Sequence, residues 1–167
     1  MAYTELYYFN KKGTPKERGI APQASTGGWK VWFLLKEKYL PDVPYLFRHD
    51  EYQKVWDLIL DERLEKYEKI ILASSFDWAI VYKENFDELI DAFEKFDSEH
   101  SWKLNFPEQI KILKEIKNNK NAIAIWWNQT SVNCDTWRQI GNRSSHSVLY
   151  NIFKENKHFN VFKEYNL

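Results

Sequence analysis

The chain has 167 residues, enough for one sizeable hydrophobic core and too few for two independent domains of ordinary size. Its 24 basic and 24 acidic side chains cancel, which excludes the overall basic field that drives nonspecific nucleic-acid binding. A single cysteine, Cys134, excludes an internal disulfide framework, and no run approaches the roughly 18 apolar residues of a spanning helix.

The charge is unevenly spread. Residues 51–100 hold fourteen acids against six bases, whereas both ends of the chain are basic. Aromatic residues make up 17% of the chain, so large flat side chains must either fill the core or stand on a binding surface.

In chain order, Leu6-Tyr7-Tyr8-Phe9 predicts a first strand. It leads into a basic, turn-rich stretch over residues 10–28, read as a loop. Ser25 or Thr26 is placed to cap a helix that starts near Gly28, carries Trp29, Trp32, Phe33 and Tyr39 on one face, and ends at Pro41. Trp56, Ile59, Leu60, Leu64, Tyr67 and Ile71 recur at spacings of three and four, which predicts helix across 52–74 with a break near Asp61. Trp78 to Tyr82 is rich in strand formers.

Asn85 with Glu88 three residues on resembles a capping box, and Phe86, Leu89, Ile90, Phe93 and Phe96 form the apolar stripe of the following helix. Another helix opens at Pro107 and turns Ile110, Leu113 and Ile116 inward. Ala122 to Trp127 predicts a third strand. Val148, Leu149, Ile152 and Phe153 suggest a short helix, and Phe159 to Val161 an edge strand. The expectation is one α+β domain over 1–167, a small three- or four-stranded sheet covered by about five helices.

Three segments carry functional readings. Trp126, Trp127, Asn128, Gln129, Thr130, Ser131, Asn133, Asp135 and Trp137 combine indoles with uncharged donors and acceptors, a pairing suited to contact with a partner or a polar small molecule. The alternative is that they satisfy buried backbone around a turn. Lys11, Lys12, Lys16 and Arg18, with Ser25, Thr26, Gly27 and Gly28 at a helix start, offer an anion site, although neither phosphate-loop pattern is matched. A solvated glycine turn is the plainer reading. Asp87, Glu88, Asp91, Glu94 and Asp97 line one side of a helix and either mimic a row of phosphates for a basic partner or form an ordinary solvated face.

Other chemistry is thin. Cys134, Asp135 and His146 include the residue types of a thiol nucleophile, but sequence supplies neither the geometry nor the lowered pKa that chemistry needs. His49, His100, His146 and His158 lack metal-ligand spacing, so no metal and no cofactor are expected. Lys103, Lys111, Lys114, Lys117 and Lys120 are spread round their helix, which argues against nucleic acid as a partner.

The opening Tyr8-Phe9-Asn10-Lys11-Lys12-Gly13-Thr14-Pro15-Lys16-Glu17 and the segment Trp127-Asn128-Gln129-Thr130-Ser131-Val132-Asn133 resemble short proteins encoded by phages and prophages of Gram-positive bacteria. That resemblance implies a mobile-element accessory protein and carries no site residues with it. The leading expectation is therefore a cytoplasmic, non-enzymatic binding protein that engages a host or phage protein. The second is a binder of a small polar or phosphate-containing ligand. It requires residues 10–28 and 126–137 to converge on one pocket.

Overall fold

The structure is a computed structural model that describes residues 3–20, 30–43, 49–76, 78–100, 106–130, 151–154 and 158–167. It is α+β, with a mixed five-stranded sheet. Strand β1 (Tyr3–Asn10) pairs antiparallel with β2 (Pro15–Ile20) on one side and with β4 (Ala122–Thr130) on the other. Beyond β4 comes β3 (Ala79–Tyr82), antiparallel to it, and then the two-residue β5 (Phe159–Asn160), parallel to β3. The sheet order is β2-β1-β4-β3-β5.

Six α-helices accompany it among the described residues: α1 (Lys30–Tyr39), α2 (His49–Trp56), α3 (Lys66–Ser74), α4 (Phe86–His100), α5 (Phe106–Asn118) and α6 (Val161–Glu164). The long helical period expected over 52–74 is interrupted as Asp61 suggested. A 3-10 turn over Asp57–Leu60 closes α2, and α3 starts afresh at Lys66. Of the short helix expected over Val148, Leu149, Ile152 and Phe153, the first two lie outside the described residues, and Ile152 to Lys154 form a turn in which the Asn151 carbonyl accepts the Lys154 amide. The edge strand at Phe159 is present.

Residues 15–20 are not loop but β2, so Lys16 and Arg18 stand on a strand that borders the sheet. The connection from β1 is a tight turn in which Gly13 takes φ +76° and the Asn10 side chain accepts the amides of Lys12 and Thr14. A positive φ suits glycine because no Cβ meets the backbone there.

The pleat of the central strands divides the core in two. Leu6, Val81, Ile125 and Trp127 face the helices, where Trp127 stacks on Phe93 of α4 at 5.5 Å between ring centroids. Tyr7, Phe9, Ile80, Ala124 and Trp126 face the opposite side. There Trp126 is stacked between Phe9 (5.8 Å) and Trp78 (5.7 Å), and His158 meets all three rings edge-on. On α1 the inward residues are Val31, Trp32, Leu34 and Leu35. Of the face read from sequence, Trp32 is buried and Phe33 and Tyr39 only partly so, while Trp29 lies outside the described residues.

A charged group anchors α1 to α3. Glu68 is fully buried and accepts hydrogen bonds from Lys38 Nζ (2.8 Å), Tyr39 Oη (2.5 Å) and the Glu65 amide (3.0 Å). The Trp32 indole adds a second tie, donating to Ser75 Oγ at 2.7 Å. Partial burial opposes the charge of Lys38, but its bonds to Glu68 and Tyr39 prevail and hold the ammonium above the ordinary lysine range. Replacing Glu68 by Ala strands its donors, at a cost of about 2 kcal/mol. The expected outcome is a melting temperature lower by roughly 4–8 °C for a chain of this size, read by thermal unfolding.

Candidate functional site

The pleat decides the fate of the indole-rich segment. Trp126 is 2% exposed and Trp127 1%, on opposite faces of β4, so the expected shared contact patch does not exist for these two residues. Successive strand residues point to opposite faces, and both faces of this strand are covered. Asn128, Gln129 and Thr130 contribute backbone to the end of β4, opposite Glu5, Thr4 and Tyr3 of β1. Ser131, Asn133, Asp135 and Trp137 lie outside the described residues, as do Cys134 and His146.

The same register bears on the proposed convergence of the two loop candidates. Tyr3 is paired with Thr130, whereas Asn10 is paired with Ala122. Seven residues of extended strand separate these positions by roughly 23 Å. Lys11 and Lys12, exposed in the turn after Asn10, therefore sit at the far end of the sheet from Asn128 to Thr130. Only the end of β2 returns to that side, where Ile20 pairs with Glu5 and Glu5 with Asn128. Of the expected anion-site residues, Lys11 and Lys12 lie in the turn and Lys16 and Arg18 on β2. Ser25, Thr26, Gly27 and Gly28 are outside the described residues.

The acidic helix face is real, but most of it is already engaged. Glu88 is paired with Lys66 of α3 at 2.8 Å, Glu94 with Lys114 of α5 at 2.6 Å, and Asp87 with Lys117 of α5. These pairs lie at the surface, where each contributes no more than about 1 kcal/mol. Their consequence is electrostatic: three of the five carboxylates are neutralised within the molecule. Asp97 is partly buried, and its Oδ1 has no hydrogen-bond partner among the described residues. Burial pushes its carboxyl above the ordinary value.

Asp91 differs from its neighbours. It is exposed and has no ion pair or hydrogen bond among the described residues. It stands on the rim of a shallow groove of about 280 Å³ between α3 and α4. Tyr67, Ile70 and Ala92 are the buried residues of that groove, and Glu65, Lys66, Glu88, Asp91 and Lys95 surround them. Lys66 leans onto Glu88, and Lys95 lies over the Tyr67 ring, 4.2 Å from its centroid. The Tyr67 hydroxyl donates to Glu99 at 2.7–2.8 Å, fixing that ring at the groove floor. Three carboxylates against two ammonium groups leave one negative charge. A single lysine or arginine side chain would balance it.

Sequence reasoning located Asp91 and Glu88 but not the groove. The α3 residues that complete it, Glu65, Lys66, Tyr67 and Ile70, were read only as part of a helical period. Among the described residues no group of three His, Cys, Asp or Glu side chains is placed to hold a metal, and no helix is long and apolar enough to cross a membrane. No protein-family model matches the chain, and neither a curated protein nor a solved structure matches it.

The environment of Asp97 has a pH consequence. A carboxyl whose folded pKa is raised favours the folded state when protonated and opposes it when charged. Its penalty therefore develops as pH rises from the ordinary 3.8 through the higher folded value, and is complete above that. Asp97→Asn should raise the urea midpoint at pH 7, and the gain should vanish below pH 3.8. An equal gain at both extremes would show that the charge is not its cause.

Proposed function

We propose that this chain is a non-enzymatic binding protein, phage- or mobile-element-encoded, that acts in the host cytoplasm by engaging a host or phage protein. The α3–α4 groove is the contact, and it takes a basic segment of that partner. The observation that carries the reading is Asp91, an exposed carboxylate with no partner among the described residues, set beside a groove with a fixed aromatic floor.

The chemistry follows from that pairing. A lysine or arginine stem packs against Tyr67, Ile70 and Ala92 while its charged head meets Asp91. A charge-assisted hydrogen bond at that point gains strength from the partial exclusion of water by the stem. Lys66 and Lys95 are already held by Glu88 and the Tyr67 ring, so they do not compete for Asp91. The resemblance to phage and prophage proteins supports the host-cell setting.

Asp91→Lys reverses the charge at an exposed position that makes no internal bond, so folding stability should change by no more than about 0.5 kcal/mol. Wild-type and Asp91→Lys proteins used as paired baits in host lysate should differ. A protein retained by the wild type is expected to fall about tenfold or more with the variant. Equal retention would move the contact elsewhere, and no specific retention by either bait would remove the reading.

A further inference from the structure

We infer that the tip of the β1–β2 hairpin, together with the turn over residues 151–154, is a binding site for single-stranded nucleic acid. The site is independent of the α3–α4 groove. The turn that carries Phe153 and Lys154 is held against the hairpin tip of Lys11 and Lys12, about 140 positions away in sequence, by one side-chain bond and one backbone bond. Asn151 Nδ2 donates to the Lys12 carbonyl at 2.7 Å, and Asn151 Oδ1 accepts the Phe153 amide at 3.0 Å. The Ile152 amide donates to the Gly13 carbonyl at 3.0 Å, and the Ile152 side chain packs onto the Trp126 cluster.

Two features give this corner its chemistry. The first is charge without compensation. Lys11, Lys12 and Lys154 are exposed, and none has an ion pair among the described residues. Four of the helix lysines, Lys38, Lys66, Lys114 and Lys117, each reach a carboxylate. Others, such as Lys36, Lys54 and Lys111, have no ion pair among the described residues, so the hairpin-tip lysines are set apart by the aromatic ring beside them. The second is Phe153, 65% exposed on a turn that is otherwise pinned. Its ring lies directly over Gly13. A Cβ there would stand 2.7 Å from Phe153 Cδ2 and 2.6 Å from Asn151 Oδ1, so only glycine lets the two turns close.

A presented aromatic ring beside ammonium groups that have no ion pair among the described residues matches an unpaired base stacked on the ring with its phosphates along the lysines. A duplex keeps its bases stacked on one another and offers the ring nothing. An acidic polypeptide would use the lysines and leave the ring in water, so the exposure of Phe153 favours the nucleic acid. Lys16 is in register with Tyr8, on the helix-facing side of the sheet, and is not counted in the site. Three phosphate contacts fit a net-neutral protein that lacks a broad basic field.

The test is fluorescence anisotropy of a labelled oligothymidylate of about 15 nucleotides with the full chain, from roughly 20 to 200 mM salt. Three contacts at about 0.7 each predict that log Kd rises with log salt with a slope of about 2. Lys12→Gln should lower that slope by about 0.7. Phe153→Ala should weaken binding about tenfold at unchanged slope, and Phe153→Trp should restore it. Unchanged thermal unfolding of these surface variants keeps the comparison interpretable. Absence of salt-dependent binding at the lowest salt would overturn the inference. Equally effective competition by polyglutamate, with no effect of Phe153→Ala, would overturn it in favour of an acidic polypeptide. Neither outcome touches the Asp91 contact, which lies on other elements.

Discussion

The antiparallel pairing of β1 with β4 is the constraint on which the rest of this molecule depends. Eight register pairs, from Tyr3 with Thr130 to Asn10 with Ala122, fix which residues share a face. Leu6 and Trp127 are thereby committed to the helices, and Tyr7 and Trp126 to the other side. Slipping this pair by one residue would exchange both sets and destroy both cores at once. Two neighbouring tryptophans with opposite destinations thus act as register markers, each held by a stacked ring, Phe93 on one side and Phe9 with Trp78 on the other.

Charge in this chain is consumed first by architecture. Glu68 binds α1 to α3, and Lys66 of α3 with Lys114 and Lys117 of α5 settle on carboxylates of α4. Among the described residues, Asp91 at the α3–α4 groove and Lys11, Lys12 and Lys154 at the hairpin tip are among the charges left without an ion pair. A neutral total therefore conceals two surfaces of opposite character, borne on different elements.

Periodicity made the helices legible, because a burial stripe repeats within one element. The stripe from Phe86 to Phe96 is buried as its spacing implied, and Leu113 and Ile116 do the same for α5. Strand β2 was hidden because Pro15-Lys16-Glu17-Arg18-Gly19 has the composition of a loop, and its pairing comes entirely from β1. The site residues were legible only as types. Whether Asp91 is paired and Glu88 is not free depends on lysines of other helices, and no spacing along α4 reveals them. Similarly, nothing near Lys12 in the chain announces Asn151. For Trp126 and Trp127 the reason is simpler: neighbours on a pleated strand point to opposite faces and share no surface.

The two borders of the sheet bear on how further strands could add to it. An open strand border is a template on which further chains can add by main-chain bonding. Here one border begins with Pro15 and has the charged run Lys16-Glu17-Arg18 in its sequence, and the other ends after two residues where α6 begins. Growth of ribbons from the flanks is therefore discouraged by the same short, charged segments that look least structured in the sequence.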